Sequence, residues 1–197
     1  GGEIYLGIVG PVRTGKSTFI KRFMELVVIP EMTDDNEKVR TIDELPQSAD
    51  GKTIMTTEPK FIPKEAAVIH FSNQETGKIR LIDCVGYLVP EAVGAIEEEK
   101  ERMVKTPWSE EEIPFSKAAE IGTSKVIREH SNLGLIITTD GSFGDIPAVN
   151  FEEALQKTVM EREKAGKPFL ILVNTSRPDS QETIQFKKRL EVQYGKT

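Results

Sequence analysis

Gly10-Pro-Val-Arg-Thr-Gly-Lys-Ser17 sets two glycines five positions apart and follows the second at once with a lysine and a hydroxyl residue. This is the G-x-x-x-x-G-K-[ST] spacing of a phosphate-binding loop. Gly10 and Gly15 allow backbone conformations closed to residues with a Cβ. In the loop of Gly10, Pro11, Val12, Arg13, Thr14, Gly15, Lys16, Ser17 and Thr18, successive main-chain N–H groups (all but Pro11, which has none) then turn toward one point and bind phosphate oxygens, helped by the positive end of the next helix. Lys16 adds a point charge for the outer phosphates, and Ser17 offers its hydroxyl to Mg²⁺. The flanks agree with this reading. "EIYLGIVG" before the loop reads as a buried strand closed by Gly10. Phe19, Ile20, Phe23 and Leu26 or Val27 after it recur at helical spacing, in a helix expected to stop before Pro30.

Outward from the loop, strand and helix patterns alternate. "AAVIHF" (66–71) and "KIRLID" (78–83) read as strands joined by a turn around Asn73–Gly77. Residues 91–105 read as an exposed helix and "FSKAAEIGTSKVIREH" as another. Strand "LGLIITTD", helix "FEEALQKTVMEREKAG", strand "PFLILVN" and a last helix from about Ser180 complete the chain. The stretch 30–59, polar with three prolines, shows no clear period and is expected to be a functional connection. The pattern predicts an α/β chain: a P-loop NTPase with a mostly parallel central sheet and helices on both faces, one domain over residues 1–197. Ligands then lie at the carboxyl ends of the strands.

Two further elements belong with the loop. "LIDCVG" ends a strand with Asp83, placed to hold a Mg²⁺ water, and puts the Gly86 N–H three residues on, where it can meet a γ-phosphate. The pairing resembles the translation-factor-related class of P-loop GTPases. That resemblance implies a threonine, before the second strand, that closes over Mg²⁺ when the γ-phosphate is present. "TIMTTEPKF" supplies Thr56 and Thr57, favoured over Thr53. A guanine-specific member would carry N-K-x-D after "FLILV". Here the sequence is "NTSRPDS": Asn174 fits, Thr175 stands for the Lys, and Arg177 stands for the Asp. A donor facing guanine's donors costs about 1–3 kcal/mol when desolvated, so ATP is expected over GTP. Asn174 and Arg177 remain the expected contacts on the base side. Tyr87 stands where many relatives place a water-orienting Gln, so hydrolysis is expected to be slow. Arg13 is the candidate for a built-in cation on the developing charge, completing a catalytic set of Lys16, Asp83, Thr56, Thr57 and Arg13. The metal set is Ser17, Thr56, Thr57 and Asp83.

Composition sets the outer limits. The chain has 197 residues, 38% hydrophobic and 29% charged, with a net charge of −6. That is enough apolar material for a core, and it is no basic face for nucleic acid. Cys84 is the one cysteine, which excludes an intrachain disulfide and fits a reducing cytosol. Glu97–Glu101 reads as a solvated charge run, and His70 and His130 as ordinary strand-end and helix-end residues. Trp108 is read as a loop anchor, with a subunit contact as the alternative; Asp140 ends its strand close to where a nucleotide lies, with a cap of the "GSFG" turn as the plainer reading.

"GKTIMTTEPKF", "LIDCVGY", "TPWSEEEIPFSKAAEIGTSKVI" and "ITTDGSFGDI" together resemble the stage IV sporulation protein A family, the morphogenetic ATPases beneath the spore coat. The resemblance implies the N-terminal nucleotide-binding domain of a longer polypeptide that binds and hydrolyses ATP with Mg²⁺ and self-assembles into polymers. It implies a place in the mother-cell cytosol at the outer forespore membrane. It also implies recruitment by a small amphipathic membrane-bound peptide, contacts with other spore coat proteins, and peripheral membrane association through regions outside this chain.

Overall fold

A computed structural model describes residues 2–47, 57–70, 75–92, 96–97 and 100–195. In chain order the elements are β1 (Glu3–Val9), α1 (Lys16–Phe23), α2 (Asp35–Asp43), β2 (Lys60–His70), β3 (Thr76–Asp83), the short β4 (Ile96–Glu97) and β5 (Lys100–Glu101), β6 (Met103–Thr106), β7 (Ser109–Pro114), α3 (Phe115–Lys125), β8 (Leu133–Thr139), α4 (Glu152–Lys164), β9 (Phe169–Asn174) and α5 (Gln181–Tyr194). Five strands form the central sheet in the order β2-β3-β1-β8-β9. β1 runs parallel to β3 and β8, and β8 parallel to β9, while β2 is antiparallel to β3. The α/β class and the mostly parallel sheet are as the alternating pattern predicts.

Both faces are covered because adjacent strand residues point to opposite sides. Leu6, Ile8, Leu81 and Ile137 pack with Ile20, Met24 and Val28 from α1 and the turn that continues it. Val9, Ile82, Ile136 and Ile171 pack on the other side with Val126, Leu155, Val159 and Leu190. The carboxyl ends of β1, β3, β8 and β9 therefore emerge along one edge. That edge collects the phosphate loop, Asp83, Asp140 and Asn174.

Several boundaries differ from the sequence expectation, each for a local reason. α1 passes through a π-helical turn at Met24–Val28, and Pro30 enters a short 3₁₀ turn, Ile29–Glu31, near its start, where a missing N–H costs nothing. The connection after it contains α2. Asp34 caps that helix by accepting from the Asn36 and Glu37 N–H groups at 2.8 and 2.9 Å. α2 buries Thr41 while Val39 and Ile42 face out, so no apolar stripe marks it in the sequence. β2 starts at Lys60, six residues before the first expected strand residue, with a register shift between Ile62 and Ala67.

The helix expected over 91–105 is a correction. Residues 96–97 pair with 100–101, and β6 pairs with β7 across Thr106↔Ser109. The charged run has no inward apolar face to bury as a helix, whereas Pro107-Trp108 lets the chain turn back on itself as a hairpin.

Candidate functional site

The phosphate loop follows β1 directly. Gly10 has φ +131° and Gly15 φ +89°. A Cβ at Gly10 would lie 2.3 Å from the Ile137 carbonyl oxygen, and one at Gly15 would lie 2.5 Å from Asn174 Nδ2. Both glycines are thus required by backbone angle and by space. Gly15 caps α1 with no side-chain hydrogen bond, which leaves the first-turn N–H groups of Lys16, Ser17 and Thr18 for an anion. The loop is braced from inside: the Val12 N–H donates to the Tyr87 carbonyl at 2.9 Å, and the Thr14 hydroxyl to the Pro11 carbonyl at 3.0 Å. Val12 is packed among Tyr87, Val89, Phe151 and Ala154. Pro11, Val12 and Thr14 therefore shape the loop from beneath, while Ser17 and Thr18 are exposed.

Lys16 is buried, and its Nζ donates to the Pro11 carbonyl at 2.6 Å. Burial pulls its pKa down, against the pull of Cys84 and Asp83. Ser17 Oγ donates to Asp83 Oδ2 at 2.7 Å. Asp83 Oδ1 is buried and has no hydrogen-bond partner among the described residues. Burial pushes the Asp83 pKa up, partly countered by the Ser17 hydrogen bond and the Lys16 charge. Gly86, at φ +93°, passes so close that a Cβ would sit 2.1 Å from the Gly10 carbonyl oxygen and 2.8 Å from Lys16 Nζ. The sequence-derived neighbours Lys16, Ser17, Asp83 and Gly86 thus come together at one point. An orphaned carboxylate oxygen beside a hydroxyl and an ammonium group, at an uncapped helix start, fits Mg²⁺ with a triphosphate.

Tyr87 is clamped away from that point. It bridges in parallel to Pro11, its ring lies 4.5 Å from Lys157 Nζ, and it is 3% exposed. The position expected for a water-orienting side chain is therefore filled by a core residue, and burial beside Glu161 raises its phenol pKa. Arg13 sits half-buried at φ +64°, a left-handed angle uncommon for a side chain of its size. Its guanidinium makes no hydrogen bond or ion pair among the described residues.

Of the paired threonines, Thr56 lies outside the described residues, as does Thr53. Thr57 is buried. It precedes Lys60 by three positions, and Lys60 is the register partner of Asp83, so Thr57 lies at the Asp83 end of the sheet. Its carbonyl packs on α3 at Gly122, where a Cβ would stand 2.4 Å from it and 3.3 Å from Trp108 Cη2. Trp108 anchors the β6–β7 hairpin there, as the sequence suggests. Gly122 itself carried no signal in the sequence, since one glycine in a helix pattern has no distinguishing neighbour.

The base side is made by the loops after β8 and β9. Asn174 Nδ2 donates to the Thr14 carbonyl at 3.0 Å and fastens the two loops of the cleft. Arg177 is exposed, and its N–H donates to Thr175 Oγ1 at 3.0 Å. Asp140 caps its turn through the Ser142 N–H at 3.0 Å, and it also accepts from the Thr175 and Thr183 hydroxyls, both at 2.7 Å. Those cross-loop bonds join residues over thirty positions apart, and spacing could not reveal them. His130 packs edge-to-face on Phe61 at 5.3 Å, and His70 is exposed at the end of β2. Among the described residues there is no cluster of three His, Cys, Asp or Glu suited to a metal, and no helix is long and apolar enough to cross a membrane.

Comparison with known proteins gives the same picture at the level of the whole chain. A family model described as "Stage IV sporulation protein A, ATPase domain" matches residues 1–197. The chain is 55% identical over 194 residues to Stage IV sporulation protein A of Bacillus subtilis (strain 168), covering 98% of this chain and 39% of that protein. It is 54% identical to the protein of the same name from Bacillus anthracis over 194 residues and 49% identical to that of Clostridioides difficile (strain 630) over 193 residues, with the same shares covered. The chain spans about two-fifths of the length of these relatives. By residue, by fold and by this match, the chain belongs to the Stage IV sporulation protein A family and corresponds to its ATPase domain.

Proposed function

We propose that this chain is a slow, Mg²⁺-dependent ATPase domain, converting ATP to ADP and phosphate. One observation carries the reading: one buried Asp83 oxygen has no hydrogen-bond partner among the described residues, while the other accepts from Ser17 at the start of an uncapped helix. Ser17 and Asp83 hold the cation, with Thr56 and Thr57 sensing the outer phosphate. Mg²⁺, when bound, supplies charge neutralisation at the outer phosphates. The loop N–H groups and Lys16 orient the triphosphate, the Gly86 N–H donates to the terminal phosphate, and Arg13 stands by for charge developing in transfer. Asn174 and Arg177 border the base, and Arg177 in place of a carboxylate favours adenine over guanine. Phosphate release from ATP with Mg²⁺, measured against GTP and against Lys16→Ala, tests this. A clear GTP preference overturns the base assignment, and release unaffected by Lys16→Ala overturns the site.

A second reading, a non-catalytic nucleotide-binding scaffold, is favoured by one fact: Tyr87 is turned into the core instead of toward a water. ATP binding without phosphate release would select it.

In the longer polypeptide, family membership supports a nucleotide cycle that drives self-assembly of the basement layer of the spore coat. The assembly works from the mother-cell cytosol at the outer forespore membrane. An amphipathic membrane-bound peptide and other coat proteins are its partners there, and membrane association runs through regions outside this chain. Sedimentation of the chain with ATP, beside a longer form, tests where assembly resides; the isolated chain is expected to assemble poorly.

A further inference from the structure

Asp140 ties three separate segments with one carboxylate. Oδ1 holds its own turn through the Ser142 N–H at 3.0 Å. Oδ2 accepts from Thr175 in the loop after β9 and from Thr183 in the first turn of α5, each at 2.7 Å. Thr175 Oγ1 in turn accepts the Arg177 N–H at 3.0 Å. A second pair of bonds runs alongside: the Ser176 N–H donates to Ser142 Oγ at 2.7 Å, and the Ser176 hydroxyl to the Ser142 carbonyl at 2.9 Å. The stretch 174–177 is therefore held on one side by Asp140 and Ser142, and on the other by Asn174 on the Thr14 carbonyl.

Besides the Asn174 bond to its Thr14 carbonyl, the phosphate loop is held from within. Its own braces, from Val12 to Tyr87, Thr14 to Pro11 and Lys16 to Pro11, lie inside it or under it. The two loops therefore meet through Asn174, while most of the bonds that shape each lie within its own side. Thr175 stands where a guanine reader has a long stem to lay on the base, but its hydroxyl donates to Asp140 instead.

We propose that Asp140 is the positioning residue of the purine subsite: through Thr175 and Thr183 it sets the posture of residues 174–177 that receives the base of a purine nucleoside triphosphate. This deepens the nucleotide-binding reading and rests on it. Hydrogen bonds to a charged acceptor are the strong ones, and chains of them reinforce one another at low dielectric. Loss of the carboxylate therefore loosens Thr175, Thr183 and the Ser142 turn together and not one residue.

The test uses three probes with Mg²⁺, titrated calorimetrically into the 197-residue chain: ATP, GTP and inorganic tripolyphosphate. Asp140→Ala and Thr175→Val are each expected to weaken ATP about tenfold, roughly 1.4 kcal/mol, and to narrow the ATP/GTP ratio. Tripolyphosphate binding stays within about twofold, because it has no base to place. Thr175→Ser, which keeps the hydroxyl, restores ATP affinity. Equal weakening of ATP and tripolyphosphate overturns the inference, as does a Thr175→Val chain that binds ATP as the wild type does. If the wild-type chain takes up tripolyphosphate and ATP while the variants behave normally, only this inference fails. If the wild type takes up neither, the nucleotide reading fails with it.

Discussion

At the phosphate end of the cleft, Asp83 Oδ1 is buried without a partner among the described residues, and Lys16 is buried with its charge disfavoured. At the base end, both oxygens of Asp140 are engaged, and the threonines and serines around it close a network. The two ends lie along one edge of the sheet and are joined by the Asn174 bond to the Thr14 carbonyl, yet their electrostatics run in opposite directions. Burial dominates Asp83 and raises its pKa. At Asp140 burial also pushes upward, but the bonds from Ser142, Thr175 and Thr183 outweigh it and bring the carboxyl to about 2. The difference teaches how each end works. Unsatisfied buried charge costs stability and is kept where a ligand completes it. A fully satisfied network fixes shape and leaves nothing for a ligand to bind directly.

Substitutions can break or sharpen this contrast. Lys16→Ala is expected to have the largest effect, weakening ATP by about 1,000-fold in calorimetry, since a charge-assisted contact and a loop brace go together. An effect no larger than that at Asp140 would erase the contrast. Asp83→Asn comes next, with phosphate release down about 100-fold. The same variant should keep or gain denaturation midpoint without ligand. The sign follows from the raised pKa: the neutral acid is the favoured folded form, its stability contribution is present at low pH, and it is lost as pH rises through that pKa. Asn mimics the neutral form, so its advantage at neutral pH should shrink on acidification.

Gly86→Ala is expected to destabilise the fold by about 2–3 kcal/mol in urea unfolding, combining backbone overlap with a left-handed angle. Gly122→Ala sets a gain in helix propensity of about 1 kcal/mol against overpacking of about 1–3 kcal/mol on the Thr57 carbonyl. A net loss of about 1 kcal/mol is expected, with phosphate release lowered more than ATP binding. The effect of pH is read at Asp140. Its lowered pKa gives stability above the unfolded value near 4, and that stability is lost as pH falls toward about 2. Acid titration of wild type against Asp140→Asn should show the two converging in that window.

The phosphate end was legible in the sequence because its chemistry is local. Gly10, Gly15, Lys16 and Ser17 lie within eight residues, and each has a reason fixed by backbone angle or by charge. Asp83 and Gly86 followed from a strand end and a short spacing. The base end was only half legible. Asn174 could be placed, the lost guanine reader seen and Asp140 set near the nucleotide, but its bonds to Thr175 and Thr183 were hidden because those partners arrive through the fold. The β4–β5 pair and β6 were hidden by the charged run Glu97–Glu101, which reads equally well as part of a solvated helix. α2 was hidden because Val39 and Ile42 face outward, against the periodicity that reveals other helices.

Trp108 is the one tryptophan of the chain, and its ring edge rests where α3 admits the Thr57 carbonyl at Gly122. Indole emission depends on the polarity and packing around the ring. The molecule therefore carries an unlabelled optical gauge at the junction between the hairpin, the helix and the segment leading into β2. A change in emission colour as nucleotide is added reads that junction alone, with no second indole to blur the signal.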